Sequence, residues 1–453
     1  MCVVTQTPLL QFTTFPDRAA KPASPAAVRL TDLVEGRDYR YSPGGVTRIV
    51  YPLLRRMIRE GLVSEAHWIS LNPSGPLTVE ADRITLHHVS LGQARMEGYG
   101  KVKEVIWGAV HGTGDQRSNP ELMFWSEQFP EYAFYNRLCA ELLGRLDAEH
   151  DFDLFYIHDF QLLPLGRMLS TLKPKVFRWH IPFDGGTLPA EWKAPLVDYL
   201  QGYDLVIVST RRYLESLREF GYAGKSQLLY PYIDPEDYSR PSKAEVAAAS
   251  ARFGLRPRDR VALVVARMDP MKGQDRAIAA VGRLAPRFPQ LKLVLVGNGS
   301  FSSSDQGVGL SKGARWRAEL EEKIAASGLH DRVVLAGHVP QGELDALYQR
   351  AAFTILPSLR EGFGLVVVES WLHRRAAIVS ARAGIAELVE DGKNGLLYDP
   401  EDSELLARRM ARLLEHPEEA IALGKAGHAT ARRCFLDEGL KTEAHLLGDL
   451  IGE

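Results

Sequence analysis

Residues 352–370 read AFTILPSLREGFGLVVVES. The apolar run AFTILPS has strand character, a Gly-Phe-Gly loop follows it, and GLVVVES opens a helix. Glu361 falls in the loop and Glu369 about one turn into the helix. The first N–H groups of a helix lack intrahelical partners and its peptide dipoles add, so such an end attracts phosphate. Carboxylates at that end would repel phosphate and instead accept hydrogen bonds from sugar hydroxyls on either side of it. A ligand that is hydroxyl-rich, then diphosphate, then hydroxyl-rich satisfies all three demands, and a nucleotide-sugar has that layout. Read alone, the stretch also fits a plain strand–turn–helix with two surface glutamates. A second phosphate candidate upstream weighs against that.

The same strand-then-helix rhythm runs through most of the chain. DLFYIHD, VFRWHIP, DLVIVST, VALVVAR, KLVLVGN, RVVLAGH, FTILPS and AAIVS read as short strands. Helical patterns such as TRRYLESL, RAIAAVGRLAPRF, ARWRAELEEKIAASG and GELDALYQRAA lie between them. Alternation of this kind predicts an α/β protein with parallel sheets and helices on both faces. A Pro- and charge-rich stretch near 232–258 divides the units into two doubly wound domains of similar size, 1–235 and 236–435, expected to face each other across a cleft. The last helical stretch, within 436–453, is free to cross back onto the first domain. In open α/β sheets ligands bind beyond the carboxyl ends of the strands, where the residues singled out here all fall. The Gly/Ser-rich segment GNGSFSSSDQGVGLSKGAR, 297–315, reads as a loop and alternatively as a lid.

At 453 residues the chain is long for one core, which agrees with two or three domains. A hydrophobic content of 45%, a charged content of 25% and a net charge of −2 without charge blocks argue against a nucleic-acid partner. No apolar run approaches the ~20 residues of a membrane helix, so no integral membrane segment is expected. Residues 1–28 lack the basic start and sustained apolar stretch of a signal peptide and read as a partly ordered arm. Cys2, Cys139 and Cys434 have no metal spacing and leave one unpaired in any disulfide scheme, which fits a reducing cytoplasm.

In VALVVARMDPMKGQDRAIAA, 261–280, a buried-type strand ends at Arg267, and Lys272 stands five residues later at the start of a helix. Two cations converging on a helix N-terminus can neutralise a diphosphate as it becomes a leaving group. The alternative is a salt bridge from Lys272 to Asp269 or Asp275.

ARMDPMKGQDRAI and PSLREGFGLVVVES resemble the signatures of retaining GT-B glycosyltransferases of the sucrose-synthase and trehalose-synthase type. GHV at 337–339 and DGKNGLLYDP at 391–400 match the same pattern in order and position. The resemblance covers most of 200–430 well and the N-terminal half more thinly. It implies the GT-B fold, two Rossmann-like domains across a cleft. It also implies that Arg267 and Lys272 hold the donor diphosphate. Glu361 and the backbone of Gly362, Phe363, Gly364 and Leu365 would contact the transferred sugar, Glu369 the ribose hydroxyls, and the Val339 backbone the base.

In the N-terminal half, Ser42-Pro43-Gly44-Gly45-Val46 precedes a helical pattern. Gly44 and Gly45 are either a structural turn or a close backbone approach to donor phosphates. IHDFQLLPLG followed by FRWHIPFD resembles trehalose-6-phosphate synthases and related trehalose-forming glycosyltransferases. That resemblance gives Asp159 an acceptor contact and His180 a contact to the donor sugar near its reacting carbon. Trp371 and His373 resemble bulky residues of the trehalose-forming members, or are packing residues. Trp125, Tyr132 and Asn136 in FWSEQFPEYAFYN are further acceptor-side candidates, although aromatics at helical spacing are usually core.

The function these readings imply is retaining transfer of a hexose, glucose foremost, from a UDP-, ADP- or GDP-hexose to a small sugar acceptor. With glucose as acceptor the product is trehalose. No reliable pair of carboxylates flanks a scissile bond as a hydrolase would need. The implied mechanism is front-side, the departing phosphate helping to deprotonate the acceptor. It requires neither a metal nor a cofactor, while stimulation by Mg2+ and a homo-oligomer stay open. A phosphorylase, a phosphorylated acceptor such as glucose 6-phosphate or a glycerate derivative, and a non-catalytic nucleotide-sugar sensor are the competing readings.

Overall fold

All eight quoted β-rich runs are strands in the computed structural model, which describes residues 1–13, 27–42, 44–112, 120–297 and 308–452. Pro43 and residues 298–307 of the Gly/Ser-rich segment lie outside the described residues. The chain forms two units, Met1–Tyr230 with Leu440–Glu453, and Pro231–Gly439.

The first unit carries β1 (Cys2–Thr5), β2 (Leu10–Phe12), β3 (Val28–Arg29), β4 (Tyr39–Tyr41), β5 (Ala66–Leu71) and β6 (Thr78–Ala81). These are followed by β7 (Ile84–Val89), β8 (Phe155–His158), β9 (Lys175–Trp179), β10 (Leu205–Val208) and β11 (Ser226–Leu228). Nine of them form one sheet in the order β11-β10-β9-β8-β1-β5-β7-β6-β3, parallel except where β6 runs against β7. FYIH in β8 and LVIV in β10 are buried throughout, as strands covered on both faces must be. β2 and β4 form a separate antiparallel pair.

The second unit carries β12 (Arg260–Val265), β13 (Leu291–Val296), β14 (Val333–Gly337), β15 (Phe353–Leu356), β16 (Ala376–Ser380) and β17 (Leu396–Tyr398). Its sheet runs β14-β13-β12-β15-β16-β17 and is parallel throughout. Numbered within the unit, that order is 3-2-1-4-5-6, the doubly wound dinucleotide-binding arrangement. The Pro- and charge-rich stretch is structured. It holds the helix Lys243–Arg252, started by a capping box in which Ser242 accepts from the Glu245 N–H and Glu245 accepts from the Ser242 N–H.

The N-terminal arm expected from the sequence is corrected by the structure. Cys2–Thr5 is the central strand of the first sheet, hydrogen-bonded to β5 on one side and β8 on the other. Four residues are too few to show a period, and this strand is specified by partners more than sixty residues away. All three cysteines are buried and unpaired.

Candidate active site

In the second sheet the strand order reverses between β12 and β15, and open α/β sheets bind ligands beyond the strand ends at such a point. Both motifs found in the sequence leave from those two strands. Arg267 stands just after β12, and Lys272 closes the 3-10 turn Pro270–Lys272. The next residue, Gly273, has φ +66°, and a Cβ there would lie 2.1 Å from the Pro357 carbonyl oxygen. Only glycine lets this turn come so close to the end of β15. The Leu359 N–H donates to the Met271 carbonyl at 2.9 Å, tying the two loops together.

Lys272 Nζ donates to Glu361 Oε2 at 2.6 Å, and Ser358 Oγ donates to the same oxygen at 3.1 Å. The partner of Lys272 is thus the glutamate of the other motif. Asp269 instead caps its own turn by accepting the Met271 N–H at 2.9 Å. Burial pushes the Glu361 pKa up. The charge and hydrogen bond of Lys272, the Ser358 bond and the charge of Arg267 outweigh it, leaving Glu361 below its ordinary value. The loop is pinned from the far side, where Gly384 N–H donates to the Glu361 carbonyl at 3.1 Å and Ile385 N–H to that of Phe363 at 2.8 Å. Gly362 and Phe363 are buried. Gly364, at φ +109°, turns the chain into the helix Leu365–Leu372, whose first turn has no side-chain cap.

Glu369 is fully buried and held by two tyrosines: Tyr348 Oη donates to Oε2 at 2.8 Å and Tyr238 Oη to Oε1 at 3.3 Å. Each carboxylate oxygen keeps acceptor capacity for a further donor. His373 stacks on Tyr348, ring centroids 5.2 Å apart and planes 8° apart, with Nε2 3.3 Å from Asp345 Oδ1. Asp345 also accepts the Ser239 N–H at 2.7 Å. His373 is therefore a prop behind Glu369, and Trp371 is fully buried core. Val339 follows β14 with its side chain packed among Leu344, Leu347 and Tyr348, on the same side of the sheet as the Glu369 prop.

In the first sheet the order reverses between β1 and β8. Gly44 lies beside Thr7 in the loop after β1, and its carbonyl accepts the Thr47 hydroxyl at 2.8 Å at the start of the helix Thr47–Arg59. Gly45 is exposed next to it. Asp159 follows β8 with φ +74° and ψ 164°, a region that non-glycine residues rarely occupy and that costs of order 1–3 kcal/mol. Its Oδ1 accepts the N–H groups of Phe160 at 3.1 Å and His180 at 3.4 Å. Burial pushes its carboxyl up to about 7 against those two bonds. His180 follows β9, and its Nε2 is 3.0 Å from Nδ1 of His158. Burial and the Arg178 charge hold His180 well below the usual histidine range, so it is neutral. Among the described residues His158 Nε2 is buried without a hydrogen-bond partner. The tautomer that avoids an orphaned N–H there has His158 Nδ1–H donating, which puts the His180 proton on Nδ1.

Tyr132 and Asn136 sit behind the segment that carries Asp159. Both are buried, and they hold the segment after Asp159, Tyr132 Oη donating to the Phe160 carbonyl and Asn136 Nδ2 to that of Gln161 at 3.1 Å. Trp125 is 63% exposed, edge-on to Phe124, and among the described residues makes no hydrogen bond to Asp159 or His180. Sequence reading missed the tyrosines behind Glu369 and the buried pair behind His180. In that pair Arg178 Nη1 donates to Glu443 Oε1 at 2.9 Å and Oε2 at 3.0 Å, and the Tyr156 hydroxyl donates to Oε1.

The raised Asp159 carboxyl has a consequence for stability. A folded-state pKa above the unfolded value gives stability that is complete below about pH 4 and is lost as pH rises through about 7. Asp159→Asn is not subject to that loss. Its stability is expected to gain on that of the wild type as pH rises from 5 to 8, by a few kcal/mol at most, at about 1.4 kcal/mol per unit, and its Tm to rise relative to the wild type accordingly. A difference in Tm that stays flat across that range in calorimetry would contradict the burial described.

Solved structures match the whole chain. An α,α-trehalose-phosphate synthase (UDP-forming) from Burkholderia xenovorans, in complex with glucose-6-phosphate, superposes with a TM-score of 0.74 at 17% identity, covering 98% of this chain and 99% of that one. A structure described as trehalose-6-phosphate from E. coli, bound with UDP-2-fluoro glucose, gives 0.72 at 19%, covering 100% and 99%. The fold is GT-B. Residues 247–430 match the family model Glycosyl transferases group 1, so the second unit carries a group 1 glycosyltransferase domain. In sequence the chain is 28% identical to a trehalose synthase of Thermococcus litoralis over 327 residues, 71% of this chain and 74% of that protein. No helix among the described residues is long and apolar enough to cross a membrane.

Proposed function

We propose that the protein transfers glucose, with retention of configuration, from a nucleoside-diphosphate glucose to glucose, forming trehalose. The observation that carries this reading is the Lys272–Glu361 ion pair between the loops of β12 and β15, with Arg267 and an uncapped helix start beside it. Lysine has three donors, so Lys272 can hold Glu361 with one and a phosphate oxygen with another. Lys272, Arg267 and the N–H groups at Leu365 then stabilise charge as it develops on the leaving diphosphate. Glu361 accepts from hydroxyls of the transferred sugar, Glu369 from the ribose, and the Val339 backbone meets the base. In the first unit neutral His180 offers a hydrogen bond to the hexose, Asp159 binds the acceptor, and Gly44 and Gly45 present backbone donors. The departing phosphate takes the acceptor proton, and no step calls for a metal.

The trehalose synthase relative favours free glucose as acceptor, and the glucose-6-phosphate complex of a structural neighbour makes the phosphorylated sugar the second acceptor to test. The test is a panel of UDP-, ADP- and GDP-glucose against glucose, glucose 6-phosphate and glycerate derivatives, with released nucleotide measured and products identified by mass and anomeric NMR. Nucleotide release coupled to an α,α-linked disaccharide is expected. Sugar phosphate formed from trehalose and inorganic phosphate, with no nucleotide present, would replace this reading with a phosphorylase.

A further inference from the structure

At the opposite edge of the first sheet, at the amino ends of its strands, three side chains from separate segments converge. Glu65 immediately precedes β5, His67 is the second residue of β5, and His150 ends the helix Phe129–His150. Glu65 Oε1 lies 3.8 Å from His67 Nε2 and 3.7 Å from His150 Nδ1, and the ligand atoms of the three all fall within 4.8 Å of one another. These spacings are too long for hydrogen bonds. They are close to the edge of about 3.4 Å between ligand atoms that share a tetrahedral ion at about 2.1 Å. The two spacings to Glu65 exceed that edge by a few tenths of an ångström and the two imidazole nitrogens lie no more than 4.8 Å apart, so movement of the Glu65 and His150 side chains, 55% and 35% exposed, closes the site.

His67 is the built part of the site. Its side chain is 4% exposed, and its Nδ1 is 2.9 Å from Nε2 of His87 on β7. With Nδ1–H donating to His87, the Nε2 lone pair is left bare toward Glu65, the arrangement by which a second imidazole orients a metal-binding one. Burial and the neighbouring His150 push the His67 pKa down to about 4, so the ring is neutral. The His150 ring packs against those of His67 and Phe152, centroids 4.1 and 5.8 Å away, and the Phe152 N–H returns to Asp147 Oδ1 at 3.0 Å in the turn after the helix.

We propose that Glu65, His67 and His150 form a binding site for a divalent transition-metal ion of the borderline class, zinc foremost, that clips the start of β5 to the end of the helix Phe129–His150. Two imidazole nitrogens and one carboxylate oxygen suit Zn2+ far better than Mg2+ or Ca2+, which prefer all-oxygen shells. Water completes the tetrahedron on the exposed side. The ion's role is structural, because it sits at the end of the sheet away from Asp159 and His180.

The test is calorimetric titration of the chelator-stripped full-length protein with Zn2+, with Co2+ absorption as a second readout of tetrahedral geometry. One equivalent is expected to bind, and a large excess over Kd to raise Tm on the order of 5–10 °C. Glu65→Gln and His150→Ala, both at exposed positions, should each weaken binding roughly tenfold or more and remove most of the Tm gain. His445→Ala, at another exposed histidine, should bind like the wild type. No uptake at several-fold excess of Zn2+, or binding that survives the Glu65→Gln/His150→Ala double substitution, overturns the proposal.

Discussion

Replacing Lys272 with alanine is expected to lower kcat/KM roughly 30- to 1,000-fold, the loss that follows from removing about 2–4 kcal/mol of stabilisation from a developing charge. The fold should survive, because Lys272 is joined to the rest of the unit by its backbone turn as well as by its side chain. The side chain also neutralises Glu361, however, so a purely electrostatic role toward that carboxylate must be separated from a role toward the leaving group. The double variant Lys272→Ala/Glu361→Gln does so. If Lys272 merely offsets the glutamate, removing both charges restores turnover. If it stabilises the departing diphosphate, the double variant is no faster than the single one. Because the two groups are in contact their effects should not add. Turnover of Lys272→Ala within a few-fold of wild type would remove the diphosphate from this end of the sheet.

What could be read from the sequence was local. The strand ending at Arg267, the turn to Lys272 and the Gly-Phe-Gly loop each declare themselves within about twenty residues, through an apolar run followed by glycine, proline and charge. That the two segments meet in a direct ion pair was not legible, and the sequence offered aspartates nearer in the chain as partners. The doubly wound order brings β12 beside β15, joining Lys272 and Glu361 across a sequence separation of 89. Other misses have the same cause. Cys2–Thr5 looked like part of a loose arm because its pairing partners are remote. Tyr238 and Tyr348 bear on Glu369 from 131 and 21 residues away. Tyr132 and Asn136 were read as candidates for touching a ligand, whereas their hydrogen bonds go to the backbone that carries Asp159. Motifs reveal which groups meet a ligand more readily than which groups hold those groups in place.

The second large effect is expected at such a holding group. Arg178 and Glu443 are 1% and 0% exposed, so each charge depends on the other for its solvation. Glu443→Ala would leave the guanidinium buried without its carboxylate, beside the hydroxyl of Tyr156 that now donates to Glu443. Breaking one side of a buried pair costs about 3–5 kcal/mol, which for a unit of this size lowers Tm on the order of 10 °C. Replacing both residues by apolar ones of similar volume, Arg178→Met with Glu443→Leu, should recover most of that loss, since the desolvation of both ions then disappears with their attraction. Scanning calorimetry of the two variants decides the matter. His180 stands two residues after Arg178, just past the end of β9, so the single variant should also lose turnover, by displacing the strand end that presents the imidazole. The double variant should regain stability ahead of activity, because it restores packing without restoring the hydrogen bonds that fix Arg178 to Glu443. An unchanged Tm in Glu443→Ala would mean that Arg178 does not depend on the Glu443 carboxylate for its burial.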